Sequence, residues 1–507
     1  MGVLDEKFYF KKIKDDRRSG VLMHISSLPG PYGIGTLGDN AKKFVDFLDR
    51  AGQTYWQLLP VGPTSYGDSP YQSFSSFAGN PYFVDLDTLV DMGLLSHEEI
   101  EEIVHVDDLT KVDYGRLYYE RNKVLRLAYE RFDTVDMDFI NFCDVKKSWL
   151  NDFAMFMALK DKFDGKAWTS WDNPYKFRDK KALEDFGIEY RKEIDFYKFV
   201  QYMFFKQWNS LKAYMHSKGI KTIGDLSIYV AGDSSDVWVN PELFQLNDDL
   251  TCRFVGGCPP DDFSDVGQLW GNPVYDWEKN EASGYEWWLE RFAASFEIFD
   301  CIRLDHFRGF ESYWAIPAGD DTARNGSWQL GPAMKLFSKV KEKFGDKPII
   351  AEDLGYITEE VYNFRMETGY PSMRILQFAF SPDGTSEHIP HNFDENTIVY
   401  VGTHDNETME GWFKNAKDYE VEYARKYFNL SHEENYTWGV IRGAMTSVAR
   451  TSIIQMQDLL LLDNHARMNT PNTLGENWKW RMLEGSIDQN LIDRFRDLTF
   501  MTNRLKK

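Results

Sequence analysis

Cysteine is scarce: Cys143, Cys252, Cys258 and Cys301 are the only four in 507 residues. Their spacing forms neither a zinc-ligand pattern nor a dense disulfide framework, so they read as reduced thiols of a cytosolic protein. Long hydrophobic runs are missing too. No apolar stretch reaches the ~18 residues needed to span a bilayer. The start, MGVLDEKFYFKKIKDDRRSG, is charged where a signal peptide would be continuously apolar. Gly2 after Met1 is by itself no myristoylation signal. Positive charge is outnumbered, with 58 Lys and Arg against 80 Asp and Glu, for a formal net charge of −22. Such a chain repels polyanions on average, which disfavours nucleic acid and anionic membranes as partners. Internal repeats and low-complexity linkers are absent as well.

Aromatic residues, in contrast, are plentiful: 16 Trp, 27 Tyr and 37 Phe. Most fill a core, and a minority are free to stack on sugar rings, whose C–H faces match an aromatic π-face. Along the chain a short apolar strand ending in polar residues recurs, followed by a longer amphipathic stretch. Strands are predicted at 21–24, 55–59, 220–225, 298–304, 348–351, 374–378 and 397–401. Residues 453–459 read equally as strand or helix. Helices are predicted over 40–51, 333–344 and 359–368. Alternating β and α elements imply a parallel sheet with crossovers, and about eight strands favour a closed barrel. The expected fold is α/β, a (β/α)8 TIM-type barrel forming a single catalytic domain over 1–507. Residues 95–208, charged and helical in pattern, are expected as an insertion between the second and third strands. Residues 229–276, rich in Gly, Pro, Asp and Trp, are expected as a loop insertion over the barrel mouth.

Active sites of such barrels lie at the C-terminal ends of the strands. Asp305 in RLDHFRG, Glu352 in IIAEDLG and Asp405 in YVGTHDNE fall at such ends, and Asp225 in TIGDLSIYV ends the third strand. Any one of these acids is as easily a helix cap or an ion-pair partner. Three or four of them, all following apolar strands, point to one cavity. Glycoside cleavage needs this inventory: a carboxylate nucleophile, a carboxylic acid for the leaving oxygen, and negative charge beside an oxocarbenium-like centre.

The segments RSGVLMHISSLPGPYGIGTLG, WQLLPVGPTSYGDSPYQSFSSFAGNP, GDLSIYVAGDSSDVW, CPPDDFSDVGQLWGNPVYDW, CIRLDHFRGFESYWAIP, IIAEDLGYIT, VGTHDNET and ARMNTPNTLGENW, in this order, resemble the amylomaltase family of 4-α-glucanotransferases, the disproportionating enzymes related to the α-amylases. The resemblance covers nearly the whole chain. It implies a retaining, cytoplasmic α-glucan transferase without the amylases' C-terminal β-sandwich. It implies that Asp305 is the nucleophile, Glu352 the general acid/base and Asp405 a transition-state stabiliser. Arg303, two residues before Asp305 and so on the same strand face, is expected to hold the nucleophile ionised. Asp225 and His404 match sugar-binding positions, Tyr71 an aromatic platform, and Trp270 the aromatic of a flexible active-site loop. The expected partners are maltooligosaccharides, amylose and related α-1,4-glucans, with no cofactor and no metal. Ile25-Ser26 stand where Pro-Thr is usual, Ser227 where Pro is commoner, and Cys258 where an aliphatic is. Other readings stay open on sequence: an amylase-like hydrolase, a Mg²⁺ site built from the acids and His404, and a silent glycan-binding protein, which would be expected to have lost Asp305 or Glu352.

Asp305→Asn is expected to lower turnover by several orders of magnitude while leaving the fold intact, because an amide is a poor nucleophile. Single-turnover rates on α-glucan, with circular dichroism as the folding control, check this; near-wild-type activity in a folded variant overturns the role.

Overall fold

The computed structural model describes residues 17–65, 67–260 and 264–506; the charged N-terminal stretch with Gly2, Tyr66, residues 261–263 and Lys507 lie outside the described residues. Twelve strands follow in chain order: β1 Arg18–Leu22, β2 Tyr55–Gln57, β3 Lys221–Ser227, β4 Phe254–Cys258, β5 Gln268–Pro273, β6 Cys301–Asp305, β7 Ser312–Pro317, β8 Ser327–Leu330, β9 Ile349–Ala351, β10 Ser372–Ile375, β11 Thr397–Tyr400 and β12 Thr451–Gln455. Eight form one parallel sheet in the order β10-β11-β12-β1-β2-β3-β6-β9. Its two ends meet: the Ala351 N–H donates to the Pro371 carbonyl at 3.1 Å, and the Met373 N–H donates to Asp353 Oδ1 at 2.8 Å. The sheet thus closes into the expected (β/α)8 barrel. Runs such as IIA in β9 and TIVY in β11 suit it, since β-branched residues favour strands and a parallel barrel strand is buried on both faces.

Two local readings are refined. Residues 453–459, ambiguous in sequence, are strand and then helix: β12 ends at Gln455 and is followed directly by the short helix Met456–Leu459. Leu376, Gln377 and Phe378, expected in a strand, form a 3-10 turn after β10. There the Gln377 main-chain N–H still donates to the Val401 carbonyl at 3.3 Å, while its side-chain amide donates to the Glu407 carbonyl at 2.8 Å.

Between β2 and β3 the described chain from His97 onward is helical, ending in the 27-residue helix Arg191–Ser217. Phe199, Met203, Phe204, Trp208, Leu211 and Met215 are buried along one stripe of it, at the spacing of an amphipathic helix. Residues 229–276, expected as loop, contain β4 and β5. β4 pairs antiparallel with β5 and with β7, and β7 with β8, in a second sheet ordered β5-β4-β7-β8. Glycine permits the close approach: a Cβ on Gly257 would lie 2.1 Å from the Gln268 carbonyl oxygen. Because β7 leaves the turn that follows β6, this small sheet sits beside the catalytic end of the barrel.

A small apolar cluster of Val255, Ile316 and Ala323 lies at the second sheet, and two large ones divide the interior of the described residues. One surrounds β1, β2, β11 and β12; the other packs the helix Glu286–Ile298 and Phe307, Phe310 and Phe337 against β6. They meet at β3, whose Ile223 belongs to the first and Leu226 to the second. Asp225 lies between those two residues. Among the described residues no helix is long and apolar enough to cross a membrane.

Gly224 tests this junction, since a Cβ there would lie 2.0 Å from the Phe299 ring. Gly224→Ala is expected to destabilise the protein by about 1–3 kcal/mol through overpacking. Urea unfolding reads this as a lower midpoint at unchanged slope, and an unchanged midpoint contradicts the packing argument.

Candidate active site

In the parallel register of β3 against β6, Asp225 lies opposite Arg303 and Ser227 opposite Asp305. Residues two apart on a strand share a face, so Arg303 and Asp305 project together into the barrel. Arg303 is 4 % exposed, and its Nη1 donates to Asp225 Oδ2 at 2.6 Å and to Asp305 Oδ1 at 3.1 Å. Asp225 Oδ2 accepts a second bond, from the Tyr71 hydroxyl at 2.8 Å. That hydroxyl has one hydrogen and gives it to Asp225, so at 2.9 Å it accepts from His404 Nε2–H. The His404 ring stacks on Tyr71 with centroids 5.3 Å apart, and Nε2 lies 3.4 Å from Asp405 Oδ2. One chain of contacts therefore joins Asp305, Arg303, Asp225, Tyr71, His404 and Asp405.

Burial sets the protonation states along it. It holds the Tyr71 hydroxyl well above its ordinary pKa, so Tyr71 stays a neutral donor. Burial also lowers His404, which stays neutral. Arg303 is held charged well above its usual value by Asp225 and Asp305, which overcome the penalty of its burial.

Glu352 follows β9, next to β6. Its main chain is tied twice to the β6 end: the Glu352 N–H donates to the Leu304 carbonyl, and the Phe307 N–H to the Glu352 carbonyl, both at 3.1 Å. Its side chain accepts from the His306 N–H at 2.6 Å through Oε2 and from the Leu354 N–H at 3.2 Å through Oε1. His306 occupies the left-handed region with φ 53°, uncommon for a non-glycine residue, where the chain turns sharply after Asp305. The His306 ring meets Trp270 edge-on at 4.9 Å, so the loop aromatic packs on the residue whose N–H holds Glu352.

Burial pushes the carboxyls of both Asp305 and Glu352 above the ordinary range. Asp305 keeps the direct guanidinium contact and is still 28 % exposed, so it ionises first. Glu352 then faces an ionised neighbour and holds its proton. The pair is thereby divided into one base and one acid.

Several contributors were not singled out from sequence. Asn469 Nδ2 donates to Asp405 Oδ1 at 2.6 Å, and Arg467 Nη2 to the Asp405 carbonyl at 2.6 Å. Trp478 lies 5.9 Å from both Tyr71 and His404. All three belong to the ARMNTPNTLGENW segment, whose Asn, Arg and Trp are the signal available. Gln72, next to Tyr71, donates to Asn272 Oδ1 at 3.0 Å and so ties the platform to the Trp270 strand.

A family model described as 4-alpha-glucanotransferase matches residues 23–486. The chain is 51 % identical over 485 residues to a 4-alpha-glucanotransferase of Clostridium butyricum, covering 95 % of this chain and 100 % of the relative. Identity to the 4-alpha-glucanotransferase of Thermus thermophilus is 42 % over 501 residues, covering 96 % and 99 %. A solved structure described as amylomaltase from Streptococcus agalactiae in complex with acarbose superposes with a TM-score of 0.94 at 44 % identity, covering 96 % of this chain and 99 % of that one.

The division of the acids predicts a bell-shaped pH profile. Activity rises as Asp305 loses its proton and falls as Glu352 loses its own, with both limbs displaced upward from ordinary carboxylates because burial raises both groups. Glu352→Gln is expected to cost at least ~10²-fold on natural glucans, and less on donors with acidic leaving groups, for which the alkaline limb disappears. Persistence of that limb in Glu352→Gln would assign it elsewhere.

Proposed function

The chain belongs to the 4-alpha-glucanotransferase family, and on that premise we propose that Asp305, Glu352 and Asp405 carry its transfer of α-1,4-glucan segments. The enzyme moves such segments to the 4-hydroxyl of glucose or a maltooligosaccharide by a retaining double displacement. In the proposed cycle Asp305 attacks the anomeric carbon and the glycosidic bond breaks. Glu352 gives its proton to the leaving oxygen, producing a covalent glycosyl-enzyme. The leaving glucan departs, and Glu352, now a carboxylate, takes the proton from the 4-hydroxyl of the incoming sugar as that oxygen displaces Asp305. The starting configuration and protonation states are restored.

The observation that carries this reading is the opposite treatment of two neighbouring carboxyls: Asp305 against Arg303 at 3.1 Å, Glu352 among backbone N–H groups. Asp405, with its side chain 43 % exposed and one oxygen anchored by Asn469, is placed in this reading to receive sugar hydroxyls and to oppose the positive charge that develops on the ring. Tyr71 offers its ring beside the scissile bond while its hydroxyl orients Asp225. In domain terms, we assign one catalytic unit to 1–507, with 95–208 and 229–276 as insertions that shape the substrate path. Maltooligosaccharides and amylose-like glucans are the proposed substrates. The low cysteine content supports a cytoplasmic site of action.

Transfer requires the glycosyl-enzyme to be captured by sugar rather than water, and so an acceptor held in attack geometry, where effective molarity reaches ~10⁵ M or more. Trp270, supported by His306 and tied to Gln72 through Asn272, is the proposed acceptor-side wall. Maltotriose alone is expected to give glucose and longer oligosaccharides with little change in total reducing ends. Trp270→Ala is expected to raise the hydrolysed fraction without abolishing glycosyl-enzyme formation. Reducing-end counting with product sizing checks both, and a rise in reducing ends matching bond cleavage, with no product longer than the donor, overturns the transferase reading.

A further inference from the structure

The small antiparallel sheet beside the barrel mouth carries aromatic surface that the cycle above leaves unused. In the β7–β8 hairpin Trp314 lies opposite Trp328 and Ser312 opposite Leu330, so these four share one face. Tyr313 and Gln329 take the other face, where the Tyr313 hydroxyl donates to Gln329 Oε1 at 2.8 Å. Trp314 is held from behind: its Nε1–H donates to the Ala323 carbonyl at 2.8 Å, and a Cβ at Gly326 would lie 2.2 Å from that nitrogen. Trp328 meets Trp314 edge-on at 5.2 Å yet remains 42 % exposed, and Leu330 beside it is 78 % exposed.

Arg308 connects this face to the acids. Its guanidinium carbon stands 4.0 Å from the centroid of the Trp328 ring, although Arg308 itself is only 5 % exposed. Its Nη2 donates to Ser312 Oγ at 3.2 Å and its Nη1 to the Tyr356 carbonyl, while Nε has no hydrogen-bond partner among the described residues. Arg308 is in the turn that begins just after Asp305, and Tyr356, 71 % exposed, is in the loop that begins with Glu352. The hairpin is therefore bound to the same two loops that present the nucleophile and the acid/base.

Direction follows from chemistry. Glu352 protonates the leaving oxygen, so its loop borders the side of the cleft from which the leaving glucan departs and which the acceptor then occupies. An indole with one face on a guanidinium and one edge on a second indole is fixed in place, with its remaining surface toward solvent. Such a surface suits the C–H face of a glucose ring, which is neutral and amphipathic. We propose that Trp328, braced by Arg308 and Trp314, is an outer acceptor subsite that binds the part of an α-1,4-glucan acceptor beyond the sugar being joined. This rests on the assignment of Asp305 and Glu352 above, which sets the acceptor side.

The test uses the full-length enzyme with an α-maltosyl fluoride donor and acceptors from glucose to maltohexaose. Trp328→Ala is expected to raise the apparent KM for the longer acceptors about five- to tenfold, the worth of one aromatic contact. The KM for glucose and the rate of fluoride release should stay within about twofold of wild type, because neither reaches the platform. Trp328→Tyr, which keeps an aromatic face, should recover most of the loss. Trp328→Thr, suited to a strand, replaces Ala if the hairpin loosens, with melting temperature as the control. An unchanged KM at every length, or an equal rise for glucose and for maltohexaose, overturns the subsite. A wild-type enzyme that forms no product longer than its donor would instead overturn the transferase assignment.

Discussion

Arg303 is a single cation buried between two carboxylates, and the rest of the site is arranged around it. Taking a guanidinium out of water is costly, and only close, well-aligned acids offset the penalty. Asp225 at 2.6 Å and Asp305 at 3.1 Å do so. The dependence runs both ways. Deprived of Arg303, the buried Asp225 would face the partly exposed Asp305 uncompensated, and breaking a buried pair such as Arg303–Asp225 costs about 3–5 kcal/mol. The reach of the interaction extends past Asp305. Asp225 orients the Tyr71 hydroxyl, Tyr71 fixes the His404 tautomer, and His404 borders Asp405.

Glu352 is managed by different means. No cation contacts its side chain among the described residues; its oxygens meet main-chain donors at His306 and Leu354. Those N–H groups orient the carboxyl and by themselves favour its ionised form, but burial outweighs them and raises Glu352 above its ordinary range. The same cavity thereby holds one carboxyl against a guanidinium and another that keeps its proton more readily. The dipoles are already in place, so little reorganisation is left for the reacting state.

The barrel and its carboxylates were legible because both rest on short-range pattern. Apolar runs ending in acids mark strand termini, and the two-residue spacing of Arg303 and Asp305 puts them on one face. What escaped notice depends on register or on the main chain. His306 acts on Glu352 through an N–H that every residue but proline possesses, so its side chain does not announce the role. Asn469 braces Asp405 from 64 residues away, a pairing that only the closed barrel defines. The strands β4 and β5 were hidden by Gly, Pro and Asp, the composition of a loop. They exist because glycine lets two chains approach closely and because β7 supplies an edge to pair with.

The order in which these parts appear along the chain has a consequence for biosynthesis. β1 is hydrogen-bonded to β12 as well as to β2, so the ring of strands stays open until residue 455 has been made. The brace on Asp405 comes later still, from Arg467 and Asn469. Arg504 then donates to the carbonyls of Arg18, Met445, Ser447, Ala449 and Arg450, gathering the first strand and the approach to the last. A ribosome-bound chain that already displays Asp305, Glu352 and Asp405 therefore lacks the scaffold that aligns them. Competence to rearrange glucan arrives late, with the closing of the barrel, and not with the synthesis of the acids themselves.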